Sequence, residues 1–386
     1  MGRRDDFFKV LAGEKPERIP LISFGFWNEK AMRKLAPADC CDENMLPLIS
    51  DDPPRDAFSQ DQRTQNSREC AVRMGAFLDT SSIGVGKGGL LSFGHGGPGE
   101  IQPVVIERTS DYKILQYEGG HKRQVNFEPH SVRFFDFPVK TEQDLDHLEL
   151  PNMRDPARFK DIAEDCRVFR QADFVPAGSI QGFFSGIHNS FMDFQDTLEN
   201  LLLKPDFITR VTERFARMSL DATEMLLERG VEVINVCDDL GTSENMLISP
   251  RVFRRFFLAW YEELTHIVHA KGKFIHLHSH GNIAPIVPDL AAIGIDIVNP
   301  FNWNENPSLT ELIEKYGDQI VFCGGLEGNM TIDDLNAHER IVKRACGLGK
   351  RARRGYMLLG PSVNAAASTE QYRAWQNILA NCRRMD

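Results

Sequence analysis

A chain of 386 residues is long enough for one large domain or two ordinary ones. Its 42% apolar and 26% charged residues are ordinary for a soluble globular protein. A net charge of −10, with a pI near 5.6, excludes a nucleic-acid or anionic-membrane surface. The opening MGRRDDFFKVLAGEKPERIP is of mixed charge and lacks the apolar core of a signal peptide, and no later run approaches a membrane span. The eight cysteines are scattered, with no CxxC pair. The expectation is a cytoplasmic protein with reduced thiols.

In chain order, IPLISF (19–24) and DTSSIGV (79–85) read as the first two strands. GVGKGG (84–89) matches GxGxxG, but the turn-rich LLSFGHGGPGE follows where a nucleotide fold needs a helix, so it reads as a loop. Residues 91–137 hold turns and alternating stretches such as QPVVIERTS and KRQVNF. They predict an inserted antiparallel segment, not a second domain. From residue 174 short apolar runs alternate with amphipathic helices. The strands are 174–180, 231–236, 273–278, 295–299, 320–324 and 355–359. The helices begin near Asp193, Pro205, Ser249 and residues 283, 308, 331 and 368. In the long helix from Pro205, the residues Ile208, Val211, Phe215, Met218, Ala222 and Met225 step by three and four, so they share one stripe. Six β–α units after two earlier strands make eight. The expected fold is α/β, a (β/α)8 TIM barrel over residues 1–386 as a single domain, with its insertion between the second and third strands.

Barrel active sites sit where the strands end. The candidate rim therefore comprises Cys237, Asp238 and Asp239; His278, Ser279, His280, Gly281 and Asn282; Asn302 and Asn304; Gly325 and Glu327; and Gly360, Pro361, Ser362 and Asn364. Two adjacent carboxylates at a barrel mouth repel each other, so Asp238 and Asp239 call for a cation, a donor network or a substrate. FIHLHSHGN (274–282) carries His276, His278 and His280 at alternate positions. Residues two apart on a strand point one way, so a pair of these imidazoles could chelate one ion.

INVCDDLGTSENMLISPRVFRRFF, KFIHLHSHGNIAPIVPDLAAIGIDIVNP and GDQIVFCGGLEG resemble the uroporphyrinogen decarboxylase superfamily, as do GEKPERIPL and FPVKTEQDLDHLELPNMRDPARF. The resemblance covers most of the chain in order and implies a (β/α)8 barrel. One branch decarboxylates uroporphyrinogen without a cofactor and is marked by an arginine-rich stretch near the N-terminus. Here that region reads SFGFWNEKAM (23–32), offering Phe24 and Trp27 in place of arginines. The other branch holds zinc- and corrinoid-dependent methyltransferases, similar to methylcobamide:coenzyme M methyltransferase, with H-x-C-G after the fifth strand and a later cysteine. His278-Ser279-His280-Gly281 stands at that position, with His280 in place of the cysteine. LLGPSVNAAAST supplies no later cysteine, and the glutamate that completes the zinc site in some relatives is not evident near Asn299–Asn302. Asp239, Glu327 and Cys323 remain open as further ligands, and His276 receives no role.

The resemblance thus implies methyl transfer between a small methylated compound and a corrinoid (cobalamin) carried by a partner protein, with zinc on His278 and His280. Imidazoles leave zinc more electrophilic than thiolates do, which favours an oxygen leaving group, as in a methoxylated aromatic. Asp239, Asp238 and Glu327 are the expected catalytic groups. Phe24, Trp27, Asn302, Ser362 and Asn364 are the expected substrate contacts. A homodimer stays open. Two alternatives also stand: a cofactor-free decarboxylase in which Asp239 steers or protonates the substrate, and a non-catalytic barrel that binds a corrinoid or porphyrin-like ligand.

Overall fold

The computed structural model describes residues 2–23, 35, 65–86, 103–127, 131–326, 335–352, 355–360 and 368–385. The strands among them are β1 (Leu21–Ile22), β2 (Ser82–Gly84), β3 (Val104–Arg108), β4 (Tyr112–Gln116), β5 (Lys122–Asn126), β6 (Ser131–Phe135), β7 (Val175–Gln181), β8 (Val233–Cys237), β9 (Phe274–His278), β10 (Ile297–Phe301), β11 (Val321–Gly324) and β12 (Tyr356–Leu359). Eight of them form one parallel sheet in the order β1-β12-β11-β10-β9-β8-β7-β2. The outer two nearly meet. The Ser81 amide donates to the Leu21 carbonyl at 2.7 Å, and the Ser23 amide donates to Thr80 Oγ1 at 3.1 Å. The sheet is therefore an almost closed TIM barrel, as the count of eight predicts. Strands β3 to β6 form a separate antiparallel sheet between the second and third barrel strands, where the excursion is expected.

Helices return the chain between strands for local reasons. Pro205 starts the helix Pro205–Glu228, and Ile208, Val211, Phe215, Ala222 and Met225 of its stripe are buried. Ser249 caps the next helix by accepting from the Val252 amide. The single helix expected there is two, Pro250–Phe256 and Leu258–Ala270. The interruption at Phe257 sets its buried ring edge-on against Phe184, 5.7 Å away, behind the rim of β7. No helix among the described residues is long and apolar enough to cross a membrane.

Alternation along each strand separates two cores. Ile22, Val175, Ala177, Val233, Ile297, Val321, Cys323, Met357 and Leu359 cluster with Phe7, Val10 and Leu11 of the first helix, Arg3–Ala12. That set fills the barrel from below. Residues of the other parity, such as Ile180, Ile234, Val236, Ile275, Leu277 and Val298, join the helices in the larger outer core. By the same alternation Ser179, Gln181, Asn235, Cys237, His276, His278 and Asn299 face the barrel interior, above the apolar plug.

Barrel closure puts weight on Thr80, which is fully buried; its hydroxyl accepts from Ser23 and lies 3.1 Å from the Ser82 carbonyl. Thr80→Val keeps the shape and removes the oxygen to which the Ser23 amide donates. Equilibrium urea denaturation should show a loss of about 0.5–1.5 kcal/mol, the usual net worth of one hydrogen bond. An unchanged midpoint would mean that this hydroxyl does not close the barrel.

Candidate active site

Strand β8 ends at Cys237, and the two aspartates after it part. Asp238 is fully buried. Its carboxylate accepts from the Ser185 amide at 2.6 Å, the Phe184 amide at 3.1 Å and the Tyr261 hydroxyl at 2.5 Å. Burial raises its pKa, and these donors oppose the rise. The structure thus gives Asp238 a bracing position within the barrel wall. Asp239 turns outward with 57% of its side chain exposed. Its Oδ1 accepts from the His280 amide at 2.9 Å and stands 4.0 Å from His278 Nε2.

Strand β9 ends at His278, which faces inward. Its Nδ1 lies 3.1 Å from the amide oxygen of Asn299, the residue in register on β10. An amide oxygen can only accept, so Nδ1 carries the proton and Nε2 holds the lone pair. Burial, followed by the neighbouring His280, pushes the His278 pKa down to about 4. His280 sits at the mouth, its ring perpendicular to His278 with centroids 4.9 Å apart. His280 Nδ1 is 3.5 Å from Glu305 Oε1. Glu305 raises the pKa of His280, and His280 lowers that of Glu305. Asn302 holds the loop that delivers Glu305. Its Oδ1 accepts from the Asn304 and Glu305 amides, and its Nδ2 reaches Glu305 Oε2 at 3.4 Å. Asn302 is thus a buried loop brace next to the site.

The structure therefore brings together Asp239, His278, His280 and Asn302. Phe24, Trp27, Glu327, Ser362 and Asn364 lie outside the described residues. Cys323 is buried in the apolar plug, where desolvation raises its thiol pKa. Among the described residues, no three His, Cys, Asp or Glu side chains form a group that could hold a metal ion.

Sequence reasoning missed Glu305, Asn299, Tyr261 and His188. Glu305 was within reach. Strand β10 runs to Phe301, two residues beyond the expected 295–299, so its rim loop begins later than expected. Pro300 reads as a strand terminator and hid the extension. His188 lies on a π-helical turn, Ile187–Phe191, a feature with no sequence signature. Its pKa is pushed down to about 4 by burial, its ring packs on Phe184 and Phe194, and its Nε2 has no partner among the described residues.

Two measurements check this geometry. Tyr261→Phe removes one donor from a buried carboxylate and should lower stability by about 1–3 kcal/mol in chemical denaturation; no loss would remove Asp238 from its bracing position. For Glu305→Gln, an NMR titration of metal-free protein should show a lower His280 pKa than in the parent. The His280–Glu305 pair contributes fully between the ordinary glutamate and imidazole values, 4.5 and 6.5. The contribution is lost as pH falls through the depressed Glu305 pKa, and again as pH rises through the raised His280 pKa.

The uroporphyrinogen decarboxylase family model matches residues 121–376, about two thirds of the chain. A methyltransferase from Methanosarcina mazei superposes with a TM-score of 0.66 at 14% identity, covering 99% of this chain and 99% of that one. A B12-independent methionine synthase from Shewanella sp. W3-18-1 superposes with a TM-score of 0.46 at 11% identity, over 83% of this chain and 89% of its own. Comparison with curated protein sequences yields no match. The chain belongs to the uroporphyrinogen decarboxylase family, and its fold is that of the Methanosarcina methyltransferase.

Proposed function

We propose that this member of the uroporphyrinogen decarboxylase family moves a methyl group between a small methylated compound, a methoxylated aromatic, and the cobalt of a corrinoid carried by a partner protein. The observation that carries the reading is the charge of the rim. The loops after β7, β8, β9 and β10 (residues 182–193, 238–249, 279–286 and 301–308) contain no lysine or arginine, yet beside the buried Asp238 they contain Asp193, Asp239, Glu244 and Glu305. A substrate with many carboxylates needs cations, which these loops do not themselves supply; Arg344, from the helix Leu335–Arg351, stacks on Trp303, and the acidic groups would repel such a substrate. An uncharged ether meets no such barrier.

Zinc belongs to the proposal through His278 and His280. With its Nδ1 proton given to Asn299, His278 presents an Nε2 lone pair, the arrangement in which imidazoles bind metals. A zinc ion there would supply Lewis acidity to the leaving oxygen. Its other ligands would come from beyond the described residues, where Glu327 lies, or from the substrate. The remaining work belongs to this chain's own side chains. Asn299 fixes the tautomer and plane of His278. Glu305 and Asp239 hold His280 from its ring and its backbone amide, with that ring perpendicular to His278 and the centroids 4.9 Å apart.

Asp239→Asn keeps the shape and removes the charge. Methyl-cobalamin formation from a panel of methoxylated aromatics, followed by absorbance with a corrinoid protein, should slow by about 10–100-fold, the usual effect of a group orienting metal ligands. Zinc content of chelator-free protein is measured alongside. If no donor yields methyl-cobalamin, while Asp239→Asn abolishes carbon dioxide release from a carboxylated substrate, the protein is a decarboxylase and the proposal fails.

A further inference from the structure

Beneath the His278 row lies a second inward-facing row that the proposed chemistry does not use. Ser179, Asn235 and His276 are in register across β7, β8 and β9. One step nearer the mouth, Gln181, Cys237, His278 and Asn299 are in register across β7 to β10. Ser179, Asn235, His276 and Asn299 are each more than nine-tenths buried. Among the described residues, Ser179 Oγ, Asn235 Nδ2, His276 Nε2 and Asn299 Nδ2 have no hydrogen-bond partner. Three of these orphaned atoms, on Ser179, Asn235 and His276, lie in the lower row on three neighbouring strands, and Asn299 Nδ2 belongs to the row above; each one left unpaired carries a desolvation penalty. The opposite wall of the barrel, with Val321, Cys323, Met357, Leu359 and Ile22, is apolar and supplies nothing to them. Below them, Ala177, Val233 and the plug from the first helix close the barrel.

We infer that this row is a seat for one uncharged hydrogen-bonding group of the small-molecule substrate, a hydroxyl or carbonyl oxygen remote from the transferred methyl. The inference rests on the methyl-transfer reading, which sets the methoxy oxygen at the His278 row. The row contains no carboxylate, lysine or arginine, so a charged group would enter uncompensated. Asn235 supplies an amide donor in this row, and Asn299 supplies a second from the row above, which fit an oxygen acceptor. The seat lies two residues below the His278 row, a rise of about 6.6–6.8 Å along a strand. A benzene ring with oxygens at opposite ends spans most of that rise, whereas one with oxygens side by side does not. The favoured donor class is thus a para-hydroxylated or para-carbonylated methoxybenzene, its ring lying along the barrel axis against the apolar wall.

The test is equilibrium binding by calorimetry to the full chain without any corrinoid partner, so that failure of methyl transfer and failure of the seat are read separately. The probes are 4-methoxyphenol, 2-methoxyphenol and methoxybenzene. The parent protein should bind 4-methoxyphenol about tenfold or more tightly than methoxybenzene, the effect of one hydrogen bond to a buried unpaired group, with 2-methoxyphenol close to methoxybenzene. Asn235→Leu, nearly isosteric, should reduce the preference to about twofold or less, and Ser179→Ala, the milder variant, should reduce it in part. The ligand-free Asn235→Leu protein should also melt about 1–3 °C higher, because an orphaned donor is removed. Equal affinity for the three probes, no binding by any of them, or a preference untouched in both variants would each overturn the inference and leave the row to ordered water. Preferential binding of 4-methoxyphenol without methyl-cobalamin formation would uphold the seat and reject the methyl-transfer reading.

Discussion

A single buried carboxylate organises the mouth of this barrel. Asp238 collects two backbone amides from the turn after β7 and the hydroxyl of Tyr261 from the helix behind, so three segments distant in sequence share one anchor. Burying a charge this deeply is tolerable only because its lone pairs are met by donors. The packing leaves no room at Gly182, where a Cβ would fall 2.1 Å from that of Asp238. Neighbouring bonds extend the brace along the rim: the Asp238 amide to the His278 carbonyl, the Leu240 amide to Ser279 Oγ, and the Ser279 amide to the Asn299 carbonyl. Beyond Ser279, the chain turns at Gly281, with φ of +87 and the Gly241 backbone too close for any side chain. Among the described residues, Asp239, His280 and Glu305 project from this braced edge.

On that edge two imidazoles two residues apart are driven in opposite directions. Burial and the neighbouring ring lower His278, and Glu305 raises His280. Without metal, over the pH range between their values, one ring offers a lone pair while the other carries a proton, which zinc binding at His280 would have to displace. Opposed environments of this kind are how a site divides acid and base roles between like groups. The lever is local: Asn299 is a neutral acceptor for the buried ring, and Glu305 is a charged one for the exposed ring. Exchanging those two partners in space would exchange the roles.

The fold was legible because its signal repeats. The barrel strands are short apolar runs, and helices such as Pro205–Glu228, Pro250–Phe256 and Thr369–Cys382 open on a proline or a capping serine; both signals are local in sequence. The histidines were legible for the same reason: alternation on one strand suffices to place them. Their partners were not. Asn299 reaches His278 across a register that no single segment encodes, and Tyr261 reaches Asp238 from mid-helix, where it reads as an ordinary core aromatic. Asp238 and Asp239 look equivalent in sequence, and only the turn at the end of β8 separates the bracing one from the one at the mouth. The excursion 91–137 was legible as antiparallel from its alternation, because strand pairing there is sequential.

The barrel interior is divided along its length and across its width. The floor and the β11–β12–β1 wall are apolar, as a packed core demands, while the inner face of β7 to β10 is lined with Ser, Gln, Asn and His. A chain selected only for stability would replace such groups with aliphatics, since burying amides that find no partner lowers stability and filling the space with methyl groups does not. Retained polarity on one wall, directly below two oriented imidazoles, points to an occupant that completes the hydrogen bonds from above the floor. The same division explains why the brace is built where it is. Asp238, just after β8, and its donors, from the β7 loop and the helix behind, stiffen the polar half of the rim. On that half, small displacements would change which groups a substrate meets, whereas the apolar half holds its shape by packing alone.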